Sequence, residues 1–147
     1  MTGATGFIGR TLLSGLRKRG CQLKIFSRSG NAAQELAAEH GAELFEGELV
    51  NESIAREACK GATHIFHLAS ADQYADRESV FQTNVDATKV LATQASKQSP
   101  PPRFVFLSSV AIHGDTGLKD SANEQSPFNP QTIYEQAKLA AEIWLQD

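Results

Sequence analysis

Apolar positions along the chain switch between a helical period and short unbroken runs. Ile8, Leu12, Leu13 and Leu16 recur at helical spacing, and Arg17, Lys18 and Arg19 fill a last turn before Gly20. Cations there face the negative end of the helix dipole, and a glycine just beyond accepts the left-handed cap, so the helix stops. A run with β character follows over 21–26 and ends in Ser27-Arg28-Ser29-Gly30. A helix over 32–40 precedes Gly41; 42–46 is a short strand and 54–59 a short helix. Residues 63–69 are a buried-strand candidate. A long helix is expected over 79–97, with Val80, Asn84, Thr88, Leu91 and Ala95 down one side, broken by Pro100, Pro101 and Pro102. The next strand spans 103–107, apolar after Arg103. A polar loop covers 114–131, and a last helix begins near Thr132 and runs to the chain end.

Strands alternating with helices imply βαβ units and a parallel sheet in an α/β fold of the doubly wound, Rossmann type, with residues 1–147 as one domain. No internal repeat or linker divides the chain. Residues 1–9 are a Gly/Thr-rich turn, and such a turn normally leads from a strand into a helix. Only Met1 and Thr2 precede Gly3, so the sheet is expected to be incomplete, its first strand absent. The chain is therefore expected to be a piece of a longer protein or the product of a misplaced start.

Composition narrows the class. The chain has 147 residues, 41% hydrophobic and 21% charged, which is globular rather than disordered. Fourteen Lys+Arg against 17 Asp+Glu leave a net charge of −3, which argues against a nucleic-acid surface. No apolar run reaches the roughly 18 residues of a membrane span. Cys21 and Cys59 form neither a disulfide framework nor a CxxC pair, so a reducing compartment is expected, with the cytoplasm as the default.

Four local patterns carry chemistry. In Gly3-Ala4-Thr5-Gly6-Phe7-Ile8-Gly9 the glycines recur every three residues and open a helix. They allow a tight turn and let a pyrophosphate approach the backbone at the helix N-terminus. At the end of the second expected strand, Ser27-Arg28-Ser29 offers no acid for a ribose 2′-hydroxyl; Arg28 suits a 2′-phosphate instead, with Arg10 able to assist. This favours NADP over NAD. Tyr134 and Lys138 fall four apart on the last helix, one turn from each other, where an ammonium favours the phenolate of a general acid/base. Ser108-Ser109 follows the strand over 103–107, at the end where open α/β sheets bind ligands. Each pattern also has an ordinary reading: a turn, a solvated arginine, a surface pair, a cap.

Their order along the chain resembles the extended short-chain dehydrogenase/reductases, the NAD(P)-dependent epimerases and dehydratases. Thr2 to Gly9 is similar to that branch's Thr-Gly-x-x-Gly-x-x-Gly. Gly47-Glu48-Leu49 stands for Gly-Asp-Leu, and His67-Leu68-Ala69-Ser70 for His-Leu-Ala-Ala. Residues 84–88, NVDAT, stand for Asn-Val-x-Gly-Thr. Residues 107–114 resemble the Ser-Ser-x-x-x-Tyr-Gly segment, with His113 for tyrosine. Residues 130–138 match Pro-x-x-x-Tyr-x-x-x-Lys.

The resemblance implies roles. Tyr134 would be the acid/base, Lys138 its electrostatic partner and a donor to the nicotinamide ribose, and Ser109 the group that orients the substrate oxygen. Asn84 would hold the active-site end of the long helix, directly or through a water. Gly3, Thr5, Gly6, Phe7, Ile8 and Gly9 would seat the diphosphate, and Arg28, Glu48 and Leu49 the adenosine side. Leu68, Ala69 and Ser70, with Tyr134 and Lys138, would also bind the cofactor. Hydride would pass at a secondary alcohol or ketone of a small molecule, either a nucleotide-sugar or a hydroxysteroid- or flavonoid-like carbonyl. The enzyme would be an epimerase, dehydratase or reductase, pairing as a homodimer through the long helix and the last helix. The family's substrate residues lie largely after the Tyr-x-x-x-Lys helix, so the 147 residues alone are expected to turn over little or nothing. The competing reading is a non-catalytic dinucleotide-binding or scaffold module. His64 and His67, expected on the same side of one strand, have no third ligand nearby and are read as packed or backbone-bonded rather than metal-binding; His40 and His113 suggest no shared site.

Overall fold

Among the described residues, four short parallel strands covered by helices on both faces carry the fold. The computed structural model describes residues 1–71, 74–114 and 121–147, so the stretch 115–120 of the expected polar loop lies outside the described residues. Strand β1 (Lys24–Ser27) pairs with β2 (Glu43–Glu46), and β3 (His64–His67) with β4 (Arg103–Phe106). Thr2 sits between the two pairs and bridges in parallel to Phe26 on one side and His67 on the other. Its N–H donates to the Phe66 carbonyl at 3.0 Å, and Phe26 N–H donates to the Met1 carbonyl at 2.9 Å. The order is therefore β2-β1-Thr2-β3-β4, that of a doubly wound sheet, with Thr2 in the central seat.

The pleat sorts the core. Along β1, Ile25 and Phe26 point to opposite faces. Ile25 joins Ala4, Leu13, Leu36 and Ala37 under α1 (Phe7–Lys18) and α2 (Asn31–His40). Phe26 joins Ala55, Cys59, Ile65, Leu91 and Ala95 under α3 (Glu52–Cys59) and α5 (Ala87–Ser96). Leu13 and Ile25 are fully buried; truncating either to alanine would cost about 2–5 kcal/mol.

The remaining helices flank the sheet's C-terminal edge. Asp76 caps α4 (Arg77–Phe81) by accepting from Ser79 N–H at 2.9 Å. This helix continues through a π turn, Gln82–Asp86, into α5. Helix α6 (Ile133–Gln146) packs on α4, the π turn and α5. Its start is a reciprocal cap: Thr132 Oγ1 accepts from Glu135 N–H at 3.2 Å, and Glu135 Oε2 accepts from Thr132 N–H at 3.1 Å. The Gln131 backbone N–H, followed by that of Thr132, holds the Glu135 carboxyl below the ordinary glutamate value.

Three expectations need correcting. The strand expected over 21–26 begins only at Lys24, because Cys21 N–H is spent on Leu16 O in the turn that ends α1. The helix expected over 79–97 begins two residues earlier at its Asp76 cap and is not uniformly α. Within the π turn Asn84 and Val85 are buried. His64 and His67 are three apart, and a period of two puts them on opposite faces: His64 is exposed and His67 buried. Among the described residues no group of three metal-ligating side chains exists, and no helix is long and apolar enough to cross a membrane.

Candidate functional site

The glycine turn leads from Thr2 into α1. Gly3 has φ +68°, and a Cβ there would lie 2.6 Å from the backbone of Leu68 and Ala69. Gly9 sits so close to the turn that its Cβ would be 2.1 Å from Gly3 O. Packing alone demands glycine at both. Gly6 is different: exposed, with φ −76° and ψ 170°, its Cβ would meet only Gly3 O, at 3.4 Å. Nothing within the protein excludes a side chain at Gly6; what the missing Cβ leaves open is the space outside.

That space faces the start of α1, which no side chain caps. The first-turn N–H groups of Phe7, Ile8 and Gly9 have no i−4 carbonyl within the helix, and the dipole there is positive. Phe7 is 91% exposed and Ile8 51%. The donor set suits a diphosphate. Arg10 folds back, its Nε donating to Thr5 O at 3.0 Å, so it braces the turn instead of reaching toward Arg28.

Beside the turn lies a cleft of about 580 Å³, with Thr5, Ser27, Arg28, Ser29, Gly47 and Glu48 on its walls. Arg28 and both serines are thus at the mouth of one hollow, and Arg28 is exposed. Leu49 borders a smaller hollow between Arg28, Glu48 and the π turn at Gln82 and Thr83.

Past β3 the chain crosses under the turn. Ala69 N–H donates to Thr2 Oγ1 at 3.2 Å, and Ser70 Oγ donates to Asn84 Oδ1 at 2.9 Å. Asn84 is wholly buried, and its amide donates to Val80 O at 3.0 Å. Its side chain is therefore engaged inward, tying the π turn to Ser70. His67 lies beneath this segment, its ring bonded at both nitrogens: Nδ1 to Thr2 Oγ1 at 2.6 Å and Nε2 to Thr88 Oγ1 at 2.9 Å. Burial, then the Lys138 cation, then the N-terminal ammonium push this imidazole down to about 3, so it is neutral at physiological pH.

At the end of β4, Ser109 Oγ accepts from Ala111 N–H at 3.2 Å and caps a 3-10 turn, Val110–His113. The hydroxyl proton is left for another acceptor. Ser108 Oγ is buried without a partner among the described residues. The 3-10 turn packs on α6, which carries Tyr134 and Lys138. The Lys138 side chain is buried, its Nζ donating to Leu107 O at 2.5 Å and lying 4.1 Å from the Phe106 ring centre. Burial lowers this amine to about 8, with Glu142 opposing the shift. The ammonium thus sits where the Ser109 strand end meets the Tyr134 helix.

The sequence-predicted residues therefore fall into two linked groups. Thr5 of the glycine turn, Arg28 and Glu48 line the cleft, with Leu49 at the smaller hollow beside it; Leu68, Ala69, Ser70 and Asn84 lie between the glycine turn and the end that holds Ser109, Tyr134 and Lys138. No hydrogen bond joins Ser109, Tyr134 and Lys138 directly. Sequence reasoning missed the His67–Thr2–Thr88 bonds. Their signal was polar residues at inward-facing positions of otherwise apolar elements.

Comparison with known proteins bears on the family and the fold. Residues 1–147 match the profile described as the NAD dependent epimerase/dehydratase family. The sterol demethylase protein B of Methylococcus capsulatus is 32% identical over 149 residues, covering 97% of this chain and 44% of that protein. A short-chain dehydrogenase/reductase superfamily protein from Agrobacterium tumefaciens, solved with bound NAD, is 27% identical with a TM-score of 0.83, over 99% of this chain and 43% of that one. The Thermus thermophilus UDP-glucose 4-epimerase in complex with NAD is 25% identical with a TM-score of 0.87, over 99% and 48%. The chain spans less than half the length of these relatives.

Proposed function

The chain belongs to the NAD dependent epimerase/dehydratase family, and from that premise we propose that it is the dinucleotide-binding part of an enzyme that transfers hydride at a secondary alcohol or ketone. The observation that carries this reading is Gly6. Gly3 and Gly9 are glycine for the fold's own packing, whereas a Cβ at Gly6 would meet nothing in the protein closer than Gly3 O at 3.4 Å, so the room it leaves is open to what approaches from outside. An uncapped helix start lies directly behind it.

The diphosphate would rest on the N–H groups of Phe7 and Ile8 with Thr5 beside it, and the adenosine in the cleft by Glu48 and Leu49. With no acid at the end of β1, Arg28 between Ser27 and Ser29 favours the 2′-phosphate of NADP over the bare ribose of NAD. Leu68, Ala69 and Ser70 would border the nicotinamide end. When bound, the nicotinamide ring supplies the hydride donor or acceptor. Tyr134 would hold the proton exchanged with the substrate oxygen. Ser109, whose own proton is uncommitted, would donate to that oxygen and orient it. Lys138 would steady the phenolate electrostatically from one turn away. Asn84 acts through the backbone it holds. The substrate is a hydroxysteroid-like carbonyl if the likeness to the sterol demethylase protein guides, and a nucleotide-sugar if the epimerase does.

The test is calorimetric titration of the chain with NADPH and NADH, followed by a screen of steroid ketones and nucleotide-sugars with the longest available form of the protein. Binding with NADPH preferred, and turnover in one substrate class, are the expected results. Tight binding with no turnover of any substrate supports a binding module instead, and no binding of either dinucleotide overturns the reading.

A further inference from the structure

A closed ring of hydrogen bonds lies under the segment 67–70, and His67 is its centre. The proton positions follow from counting. Thr88 Oγ1 donates to the Asn84 carbonyl at 2.7 Å, and a carbonyl only accepts, so the single Thr88 proton is committed there. Thr88 Oγ1 must then accept from His67, and Nε2 carries a hydrogen. Thr2 Oγ1 already accepts from Ala69 N–H. If Nδ1 carried a hydrogen too, the Thr2 proton would be left without an acceptor in a residue that is 2% exposed. The consistent pattern runs one way: Ala69 N–H to Thr2, Thr2 O–H to His67 Nδ1, His67 Nε2–H to Thr88, Thr88 O–H to Asn84 O. Ser70 closes the ring by donating to the Asn84 side chain.

We propose that His67 is a positioning residue, fixed as the neutral Nε2–H tautomer, that ties the glycine turn at Thr2 to the π turn at Asn84 and thereby sets the height of Leu68–Ser70 beneath the nicotinamide end of the bound dinucleotide. This rests on the functional reading above and adds to it the device that holds the two ends of the site in register. The ring sits where it can do so. Gly3 lies against Leu68 and Ala69 with no room for a Cβ, so the segment rests directly on the glycine turn and the ring sets its height from beneath. Phe106 stacks 5.9 Å from the imidazole and Phe104 lies 6.1 Å away, so the ring that makes both bonds is flanked by aromatic side chains. The Lys138 ammonium, the larger charge effect at the ring, opposes its protonation.

The first measurement is the ¹⁵N shift pattern of the His67 ring in the labelled chain between pH 8 and pH 5. An unprotonated Nδ1, a protonated Nε2 and no titration are expected. A hydrogen on Nδ1, or titration in the ordinary histidine range, overturns the proposal. The second compares Thr88→Val with Thr88→Ser by calorimetry against NADPH and against 2′-phospho-ADP-ribose, which lacks the nicotinamide. Losing both hydrogen bonds of Thr88 Oγ1, from His67 and to Asn84 O, predicts at least about five- to tenfold weaker NADPH binding in Thr88→Val, recovery in Thr88→Ser, and under about twofold change for the shorter ligand. Equal weakening for both ligands means a merely structural ring, and no weakening for either means an idle one; both overturn it. If the unsubstituted chain binds neither ligand, the functional reading is what has failed, and the ring's proton pattern is still decided by the shifts.

Discussion

Replacing Gly6 by alanine separates a ligand seat from an ordinary glycine turn. The backbone at Gly6, φ −76° and ψ 170°, is one that alanine adopts without strain, and the added methyl would touch only Gly3 O at 3.4 Å. Alanine is a poorer helix N-cap than glycine, so folding stability should fall by about 0.5–1 kcal/mol. In a chain of this size that is a melting shift of about 2–4 °C. The same methyl stands in front of the Phe7 and Ile8 N–H groups. Keeping a phosphate oxygen from one of them removes a charge-assisted bond of about 2–3 kcal/mol, so dinucleotide affinity should drop roughly 30- to 150-fold. Gly9→Ala is the control: its methyl would sit 2.1 Å from Gly3 O and 2.8 Å from Ala4 Cα, both backbone atoms that cannot yield. That variant should lose about 3 kcal/mol or more of stability before binding is considered. Calorimetric titration with NADPH beside thermal denaturation reads both quantities. Gly6→Ala binding within about twofold of the unsubstituted chain, at any stability, would show that the turn seats no diphosphate.

Further predictions address the rest of the site. Arg28→Ala should weaken NADPH by about 1–3 kcal/mol and leave NADH nearly unchanged; equal losses in paired titrations would remove the 2′-phosphate role. Tyr134→Phe, in a form of the protein that turns over substrate, should abolish turnover while dinucleotide affinity stays within about threefold; retained turnover rejects the acid/base role. Stability should depend on His67 at acid pH. Unfolded, it takes up a proton below its ordinary value of 6.5, whereas the folded ring stays neutral to about 3. The unfolded state therefore binds more protons in that window, and stability falls as pH drops from about 6.5 toward 3. His67→Gln should flatten that fall in urea melts at pH 7 and pH 4.5; an unchanged slope would mean the ring is not buried as described.

What the sequence revealed and what it hid divide by range. The βαβ alternation, the end of α1 at its basic turn, and the Thr132 start of α6 rest on local signals, and each appears in the structure within a few residues. The cluster of Ser27, Arg28, Ser29 and Glu48 around one cleft follows from their shared place at the strands' C-terminal ends, which the parallel topology dictates. The π turn left no periodic trace, since one inserted residue shifts the buried face without disturbing the apolar count; a polar Asn84 among Val80, Thr88 and Leu91 was its sole mark. The His67 ring was illegible for a different reason. It joins Thr2, His67 and Thr88, up to 86 positions apart in number, and only the sheet order brings them together. The apparent pairing of His64 with His67 failed on simple parity.

The account turns on where a bound dinucleotide places its nicotinamide ring. A crystal structure of this chain with NADPH decides it: the diphosphate should lie against the Phe7 and Ile8 N–H groups, the 2′-phosphate at Arg28, and the nicotinamide ribose within hydrogen-bond reach of Tyr134 and Lys138. A dinucleotide bound elsewhere, or one whose nicotinamide points away from α6, would contradict it.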